Sequence, residues 1–296
     1  MNSDAKALAV DIGGTKLAVG AVTADGRLVH QHREPTLRTD DPWALFGQLR
    51  AMVQTMSALH EFSVCGVGCG GPMAPMGEQV SPLNIGAWRG FPLRKQLAEL
   101  TGLPTFVEND AKALALAEGW VGAAQGRRNY LAMVVSTGIG GGIILDGRLL
   151  QGDSSNAGHI GHMVVAVPGR ELDGHVAGVL EAEASGTAIA AHTGRPPANA
   201  RPEEIDEVGR LVGQAAGSVV NLLDLPLVVV AGSVALGYGA RFFAAAQREI
   251  DRVCQLDFSR GARIMPAGCG AQGPLIGAGA VGFAYLGLPL GMVEVR

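Results

Sequence analysis

The sequence predicts a chain of two related α/β lobes, and three observations lead to that fold class. Short apolar runs alternate with segments of helical periodicity in both halves of the chain. A glycine-rich hairpin occurs twice, at 11–16 and at 136–142, and the strand after each hairpin closes on Asp-Gly-Arg-Leu, at 25–28 and 146–149. The length of 296 residues also suits two lobes better than one core.

The first half is predicted to begin with an antiparallel meander and to continue with alternating helices and strands. The meander strands are expected over 7–10, 17–22 and 28–33, with a turn at Asp25-Gly26. The later elements expected are a helix over 42–59, a buried strand over 64–68, a loop over 72–88, a helix over 93–100, a short strand over 105–107 and an Ala/Leu-rich helix over 111–121. This order places Asn109-Asp110 between a strand and a helix.

The second half repeats the meander from Tyr130 onward. The elements expected after it are a polar loop over 152–178, a helix over 181–192, a surface connection over 195–201, a long helix over 203–223, a buried strand over 227–231 and a close-packed Gly/Ala-rich helix over 271–286. Gly232-Ser233 opens another helical pattern. The predicted domains are 1–109 together with 271–296, and 110–270.

Composition excludes several classes of function. The net charge is −4, from 23 basic and 27 acidic residues without a basic block, so we expect no nucleic-acid partner. No apolar run of about 18 residues occurs, and the segment 1–6 has no signal-peptide pattern, so we expect a cytoplasmic protein without a membrane partner. The four cysteines, Cys65, Cys69, Cys254 and Cys269, form no CxxC pair and are interpreted as buried thiols.

The two hairpin tips have the composition of phosphate-binding loops. Glycine lets backbone N–H groups approach phosphate oxygens because no Cβ intervenes. Thr15 and Thr137 can add hydroxyl donors, and Asp11 can hold Mg²⁺ or its water shell. A single glycine hairpin is more often an ordinary turn, but two copies in matching contexts favour two backbone cradles for one polyphosphate.

Other nucleotide-binding motifs do not fit this chain. Residues 66–71 match G-x-G-x-x-G, but Pro72 and a loop follow instead of a helix, so the dinucleotide interpretation fails. The pattern G-x-x-x-x-G-K-[ST] of P-loop proteins does not occur. The favoured chemistry is therefore phosphoryl transfer on two glycine loops.

Asp110 is the candidate catalytic carboxylate. A helix N-cap is one interpretation, because Asn and Asp are preferred there. The other is that Asp110 accepts the proton of an attacking hydroxyl group, as phosphoryl transfer requires. The two interpretations are compatible, because a position at the start of a helix fixes the carboxylate in space.

With these residues assembled, the chain resembles the ROK family of sugar kinases and sugar-responsive repressors over nearly its whole length. The resemblance rests on residues 11–16, 66–72, Ser81-Pro82 with Asn84 and Trp88, 109–111, 137–142 and 181–187. It implies the two-lobed actin/hexokinase-like (ribonuclease H-like) fold, with a mixed sheet flanked by helices in each lobe and an active-site cleft between the lobes. Family repressors carry an N-terminal DNA-binding domain, for which we expect no room before Asp11.

The resemblance also implies roles for individual residues. Asp110 would be the catalytic base. The sugar would be contacted by Asn109, His162, Glu181, His159, Asn84 and Gly71. MgATP would be held by Asp11, Gly13, Gly14, Thr15 and Lys16 of the first loop, by Thr137, Gly138 and Gly140 of the second, and by Gly232 and Ser233. The cofactors implied are ATP and Mg²⁺, and the assembly implied is a homodimer or homotetramer.

The chain departs from the family pattern in two ways. The family usually has Glu where this chain has His159, and a neutral imidazole accepts one hydrogen bond and donates one instead of accepting two. The family often carries three zinc-binding cysteines where this chain has Leu172, Gly174 and Val179, so we expect no zinc and expect Leu172 and Val179 to pack the loop.

These departures shape the functional prediction. We expect an ATP:hexose 6-phosphotransferase acting on a glucose-like sugar, with an amino sugar such as kanosamine as the preferred hypothesis. The alternatives are an N-acylmannosamine kinase or a fructokinase of the same family, and a sugar-sensing regulator without turnover. Asp110 argues against the regulator, because a sensor needs no base.

Overall fold

The computed structural model describes residues 5–295, and residues 1–4 and 296 lie outside the described residues, as does most of the N-terminal segment considered above. The strands are β1 (Lys6–Ile12), β2 (Lys16–Thr23), β3 (Leu28–Pro35), β4 (Val64–Cys69), β5 (Thr105–Asn109), β6 (Tyr130–Val135), β7 (Ile139–Leu145), β8 (Arg148–Leu149), β9 (Leu227–Ala231) and β10 (Arg263–Pro266). The helices are α1 (Pro42–Leu59), α2 (Leu93–Thr101), α3 (Asp110–Trp120), α4 (Leu180–Ala184), α5 (Gly186–Thr193), α6 (Pro202–Leu223), α7 (Ser233–Val253) and α8 (Gly273–Tyr285).

The described residues form two five-stranded mixed sheets with the same topology. The first has the order β3-β2-β1-β4-β5, in which β1 to β3 are an antiparallel meander and β1, β4 and β5 run parallel. The second has the order β8-β7-β6-β9-β10, with β6 antiparallel to β7 and parallel to β9, which is parallel to β10. The predicted doubling of an α/β lobe is therefore confirmed at the level of strand order.

The chain divides into two compact units. The first comprises Met1–Gly126, Arg148–Ala157 and Cys269–Arg296, apart from the undescribed termini, and the second comprises Arg127–Gly147 and Gly158–Gly268. The expected boundary between 109 and 110 differs from this division, because α3 packs inside the first unit. A Cβ on Gly277 of α8 would lie 2.7 Å from the Ala113 carbonyl oxygen, so α3 and α8 are in direct backbone contact.

The Gly/Ala-rich character of α8 follows from such close contacts. A Cβ on Gly66 of β4 would lie 1.9 Å from the Ala278 carbonyl oxygen, so α8 lies directly on the strand. The predicted close-packed helix is confirmed, and its packing holds α3 and β4 together. Within the described part of the chain, no helix is both long and apolar enough to cross a membrane.

Three elements differ from the sequence-based prediction. Strand β7 includes residues 139–142 of the predicted glycine loop, and a Cβ on Gly141 in this strand would come 2.9 Å from the Gly158 carbonyl oxygen. The helix expected over 181–192 is two helices, broken at Ser185, whose side chain accepts a hydrogen bond from Ala188 N–H and caps α5. Strand β10 was not predicted.

Candidate active site

In the first unit, the carboxyl ends of three parallel strands bring the candidate acidic residues together. Asp11 of β1 pairs with Gly68 of β4, and Gly68 pairs with Glu108 of β5, the residue before Asn109-Asp110. A Cβ on Gly68 would lie 3.8 Å from Asp110 Cα and 3.9 Å from Asp11 Oδ1. Gly68 therefore lies between the two acidic residues and contributes no side chain to the space there.

Asp110 is the first residue of α3, and its carboxylate is fixed by the start of the helix. The Ala111 backbone N–H donates to Asn109 Oδ1 at 3.0 Å and to Asp110 Oδ1 at 2.8 Å. Asn109 is the N-cap, and Asp110 is half-buried. The structural part of the prediction, a strand-to-helix turn that presents Asp110, is therefore present.

Asp11 is a buried acid in an unfavourable electrostatic environment. Its exposed fraction is 8%, and burial together with the nearby charge of Asp110 raises its pKa to about 7, although Lys16 and Arg33 act in the opposite direction. Among the described residues, no hydrogen bond reaches its carboxylate. Such a group binds a cation readily, because a cation relieves both the desolvation and the repulsion.

The first glycine loop lies against the segment that carries Asn84. The Gly13 N–H donates to the Lys16 carbonyl at 3.0 Å and closes the hairpin, leaving Gly14, Thr15 and Lys16 exposed. A Cβ on Gly14 would lie 2.7 Å from Asn84 Cβ, so only glycine permits this approach. The structure thus brings one candidate phosphate residue and one candidate sugar residue into contact.

The loop around Asn84 is held by Arg89, which sequence reasoning did not identify. Its guanidinium Nη1 donates to the carbonyl oxygens of Pro82, Ile85 and Trp88 at 2.7 to 2.9 Å. At the other end of the loop, the Gly71 carbonyl accepts from Leu83 N–H at 3.2 Å. The sequence gives no signal for this role of Arg89, because the carbonyl groups that it binds come together only in the folded loop.

In the second unit, the second glycine loop is a tight turn at 136–138. The Ser136 N–H donates to the Gly138 carbonyl at 3.0 Å, Thr137 is exposed and Gly140 already lies in β7. Gly232 has a φ of 102° and would place a Cβ 2.2 Å from the Val135 carbonyl oxygen, and Ser233 Oγ lies 3.0 Å from Ser136 Oγ. The loop and the start of α7 are therefore adjacent.

A cavity of about 500 Å³ opens beside this loop, within the usual range for small-molecule sites. It is lined by Thr137, Gly186, Thr187, Pro196, Pro197, Ala198, Ser233, Val234, Gly237 and Tyr238. The first turn of the 21-residue helix α7 leaves backbone N–H groups without helical partners, which favours anions nearby. The segment 195–201, interpreted from sequence as a surface connection, thus supplies part of the cavity wall.

Glu181 links the second loop to a cluster of histidines. Its carboxylate accepts a short hydrogen bond from the Ile139 N–H, and its other oxygen lies 2.7 Å from His175 Nε2. The rings of His162 and His175 stack at 6.0 Å, and those of His159 and His162 meet edge to face at 5.9 Å. The exposed His159 and His162 therefore belong to one group with Glu181.

The loop beside this cluster is held by hydrogen bonds between protein groups. Glu183, only 4% exposed, accepts from the Arg170 backbone N–H and from Arg170 Nε, both at 2.5 Å. Val179 is buried and Leu172 half-buried, while residues 5–295 contain no group of three or more His, Cys, Asp and Glu placed to hold a metal.

The candidate residues thus fall into two groups, one in each unit. Asp11, Gly13, Gly14, Thr15, Lys16, Gly71, Asn84, Asn109 and Asp110 lie in the first unit, and Thr137, Gly138, Gly140, His159, His162, Glu181, Gly232 and Ser233 lie in the second. The first group contains both aspartates, whereas Glu181 lies in the second. The second contains the large cavity and the imidazoles.

Comparison with known proteins gives consistent matches along most of the chain. Residues 7–282 match the model of the ROK family. The N-acetylmannosamine kinase of Citrobacter koseri is 35% identical over 266 residues, covering 83% of this chain and 91% of that protein.

Solved structures agree with the sequence match. The ROK hexokinase from Thermus thermophilus superimposes with a TM-score of 0.82 at 30% identity, covering 96% of this chain and all of that one. A ROK family glucokinase from Streptomyces griseus, in complex with glucose and AMPPNP, gives a TM-score of 0.81 at 26% identity, covering 94% and 99%. These superpositions confirm the expected actin/hexokinase-like fold class.

Proposed function

The chain belongs to the ROK family, and we propose that it is an ATP-dependent sugar kinase that phosphorylates the primary 6-hydroxyl group of a glucose-like sugar. The observation that carries this proposal is the placement of Asp110. Its half-buried carboxylate is fixed at the start of α3, beside Asn109 and across Gly68 from Asp11. A carboxylate held in this way is suited to accept the proton of an attacking hydroxyl group.

The substrate hydroxyl is a poor nucleophile until its proton has an acceptor. In our proposal Asp110 orients that hydroxyl group and takes its proton as the oxygen attacks the γ-phosphorus, while Asn109 hydrogen-bonds a neighbouring sugar hydroxyl. Positioning contributes most of the rate in phosphoryl transfer, because the protein forms no covalent bond with the transferred group.

Asp11 is the residue we assign to Mg²⁺. Its buried carboxylate, with a pKa raised to about 7 and no hydrogen bond among the described residues, fits an oxygen ligand of a hard cation or of its water shell. Bound Mg²⁺ would neutralise charge on the transferring phosphoryl group. Lys16 would contribute further positive charge and the Gly14 backbone an N–H donor, while Gly13, whose N–H is bonded to the Lys16 carbonyl, would shape the turn.

In our proposal the second unit binds the nucleotide and supplies hydrogen-bonding groups to the sugar. The cavity beside Thr137 and Ser233 has the size for a nucleoside, and the start of α7 favours its phosphates. The Streptomyces griseus relative was solved with glucose and AMPPNP, an ATP analogue, which supports a ternary complex here. His159, His162 and Glu181 supply hydrogen-bonding groups for sugar hydroxyls.

Two sugar classes remain candidates for the acceptor. The glucose and hexose kinases among the structural relatives support a glucose-like sugar, and His159 in place of the usual Glu favours a modified glucose such as the amino sugar kanosamine. The 35% identity to an N-acetylmannosamine kinase supports an N-acylmannosamine as the second candidate. A coupled ADP-release assay over glucose, glucosamine, kanosamine, N-acetylmannosamine and fructose ranks them by kcat/KM.

The Asp110→Asn variant tests the catalytic assignment. We expect turnover to fall by about a hundredfold or more, with sugar binding retained, because asparagine keeps the side-chain oxygen that accepts from the Ala111 N–H but takes no proton. The matched control is Asp41→Asn, since Asp41 caps α1 through the Trp43 N–H at 2.9 Å. If the two variants turn over alike, the Asp110 carboxylate only supports the first turn of α3 and the assignment is wrong.

A further inference from the structure

A hydrogen-bonded group of polar side chains, two of them buried and two half-buried, lies behind the turn that carries Asn109 and Asp110. It consists of Glu108, Lys112, Gln151 and Tyr285, and we refer to it as the Lys112 network. The exposed fraction is 0% for Lys112 and 2% for Glu108, and their charged atoms lie 3.5 Å apart. All four residues belong to the first unit.

The donors and acceptors of the two charged residues are fully matched. The three protons of Lys112 Nζ face Gln151 Oε1 at 2.6 Å, the Ser155 carbonyl at 2.9 Å and Glu108 Oε1 at 3.5 Å. Glu108 Oε2 accepts from Gln151 Nε2 and from the Tyr285 hydroxyl, both at 2.9 Å. A fully satisfied network of this kind permits one arrangement of its members and therefore rigidifies what is attached to it.

Stability alone does not account for a charged pair at this place. The other buried residues of helix α3 are four Ala, two Leu, Glu118, Gly119 and Trp120, and an apolar residue of similar volume is often as stabilising as a buried ion pair. Burial holds the pKa of Lys112 below its ordinary value, and the neighbouring Glu108 offsets this only in part. We therefore expect the pair to fix the position of the neighbouring turn rather than to stabilise the fold.

The network holds the catalytic turn from both sides. Glu108, immediately before the turn, also accepts from the Asn109 backbone N–H at 2.9 Å, and Lys112 follows Asp110 by two residues. Through Ser155 the network fixes a segment whose Asn156 side chain accepts from the Met73 N–H at 3.2 Å and donates to the Met73 carbonyl at 3.0 Å. The turn and the loop between Gly71 and Asn84 are thus joined by hydrogen bonds.

We propose that Lys112 is a positioning residue for phosphoryl transfer, which holds the turn bearing Asn109 and Asp110 in register with the loop from Gly71 to Asn84. The inference rests on the proposed function, in which Asp110 is the base and Asn109 contacts the sugar. Lys112 acts through Glu108, Gln151 and Ser155 and touches no reactant. Its loss shifts the base relative to the attacking hydroxyl, and small displacements of a reacting group lower kcat strongly.

Two variants test the proposal. Lys112→Met removes the ammonium group, and Glu108→Gln/Lys112→Met removes both charges, so that no unpaired charge stays buried if the single variant folds poorly. The matched control is Glu118→Gln on the same helix, because Glu118 is also fully buried and accepts from the Cys269 and Ala123 backbone N–H groups. Kinetics are measured well below the melting temperature of the least stable variant.

In the Lys112 variants we expect kcat to fall about tenfold or more while the KM for ATP stays within about threefold. The control should keep kcat within about twofold even if it melts at a similar temperature. Hydrogen exchange should rise in peptides covering 105–116 and 150–157 in the Lys112 variants only. Wild-type kcat in the double variant, or equal losses in the control, would overturn the proposal.

The Asp110→Asn variant separates this inference from the proposed function. If Asp110→Asn abolishes turnover and the Lys112 variants do not reduce it, the positioning role alone is wrong. If Asp110→Asn turns over normally, the proposed base is wrong and the positioning role with it. The exchange data then still decide whether Lys112 anchors the turn.

Discussion

Replacing Asp11 with asparagine should stabilise the free protein above neutral pH and at the same time impair catalysis. The carboxyl group is 8% exposed, and burial with the repulsion of Asp110 raises its pKa from 3.8 to about 7. A rise of about three pKa units corresponds to about 4 kcal/mol of folding free energy, at about 1.4 kcal/mol per unit. Asparagine has nearly the same shape and carries no charge, so the variant avoids this cost.

The sign of the effect depends on pH in a defined way. Below pH 3.8 Asp11 is protonated in both states, so it adds no cost of ionisation. Between pH 3.8 and about 7 the unfolded state loses its proton first, so the wild-type protein loses stability progressively as pH rises. Above about pH 7 the full cost of about 4 kcal/mol is present, whereas at pH 5 it is about 1.5 kcal/mol.

Urea unfolding of the wild-type protein and of Asp11→Asn at pH 5 and pH 8 measures this difference. We expect the advantage of the variant to grow by roughly 3 kcal/mol between the two conditions. Asp25→Asn is the control, because hydrogen bonds from Thr23 and Arg27 lower the pKa of Asp25, so this variant should gain no stability at pH 8. The reasoning is refuted if the advantage of Asp11→Asn is the same at both pH values, or if its turnover with MgATP is unchanged.

Four further predictions concern the second unit. Gly138→Ala would place a Cβ 2.8 Å from Glu181 Oε2, so we expect kcat/KM in steady-state kinetics to fall about tenfold or more, and an unchanged value would contradict the contact. Arg170→Ala removes the guanidinium group from buried Glu183 and keeps only the backbone N–H of residue 170 on its carboxylate, and denaturant titration should show a loss of about 3 kcal/mol. His159→Glu should shift the ranking of sugars toward plain glucose, and an unaltered ranking would refute our account of His159. Elemental analysis of the purified protein should find no zinc, and one zinc per chain would overturn that expectation.

The repeated hairpins could be predicted from the sequence because their signals are local. Apolar alternation marks the strands, and the glycine loops at 13–15 and 136–138 lie directly between β1 and β2 and between β6 and β7. The Asp-Gly turns at 25–26 and 146–147 follow β2 and β7 in the same way. The position of Asp110 at the start of α3 was likewise predictable, because a helix signal follows directly after Asn109.

The remaining features of the site depend on contacts between distant segments. Tyr285 reaches Glu108 across 177 positions, and Gln151 reaches Lys112 across 39. No periodicity records such a pairing, and a lysine in an Ala/Leu-rich helix is ordinarily interpreted as a solvated residue. The same holds for Pro196 and Pro197, whose place in a cavity wall depends on packing beside Thr187.

The register of the two hairpins also explains how a duplicated element can carry two different functions. Ile12 pairs with Leu17 in the first hairpin, and Val135 pairs with Ile139 in the second, so the position of Asp11 corresponds to Val134. Only the first hairpin therefore presents a carboxylate behind its glycine turn, where it can meet a cation. The second presents the Ile139 N–H to Glu181, a contact that the first hairpin has no acid to make.

The two loops are alike in backbone and different in charge, so we expect a Val134→Asp variant to lose stability as pH rises without gaining activity. Urea unfolding at pH 5 and pH 8, together with the ADP-release assay, would show whether a carboxylate behind the second turn lowers the free energy of unfolding and leaves turnover unimproved.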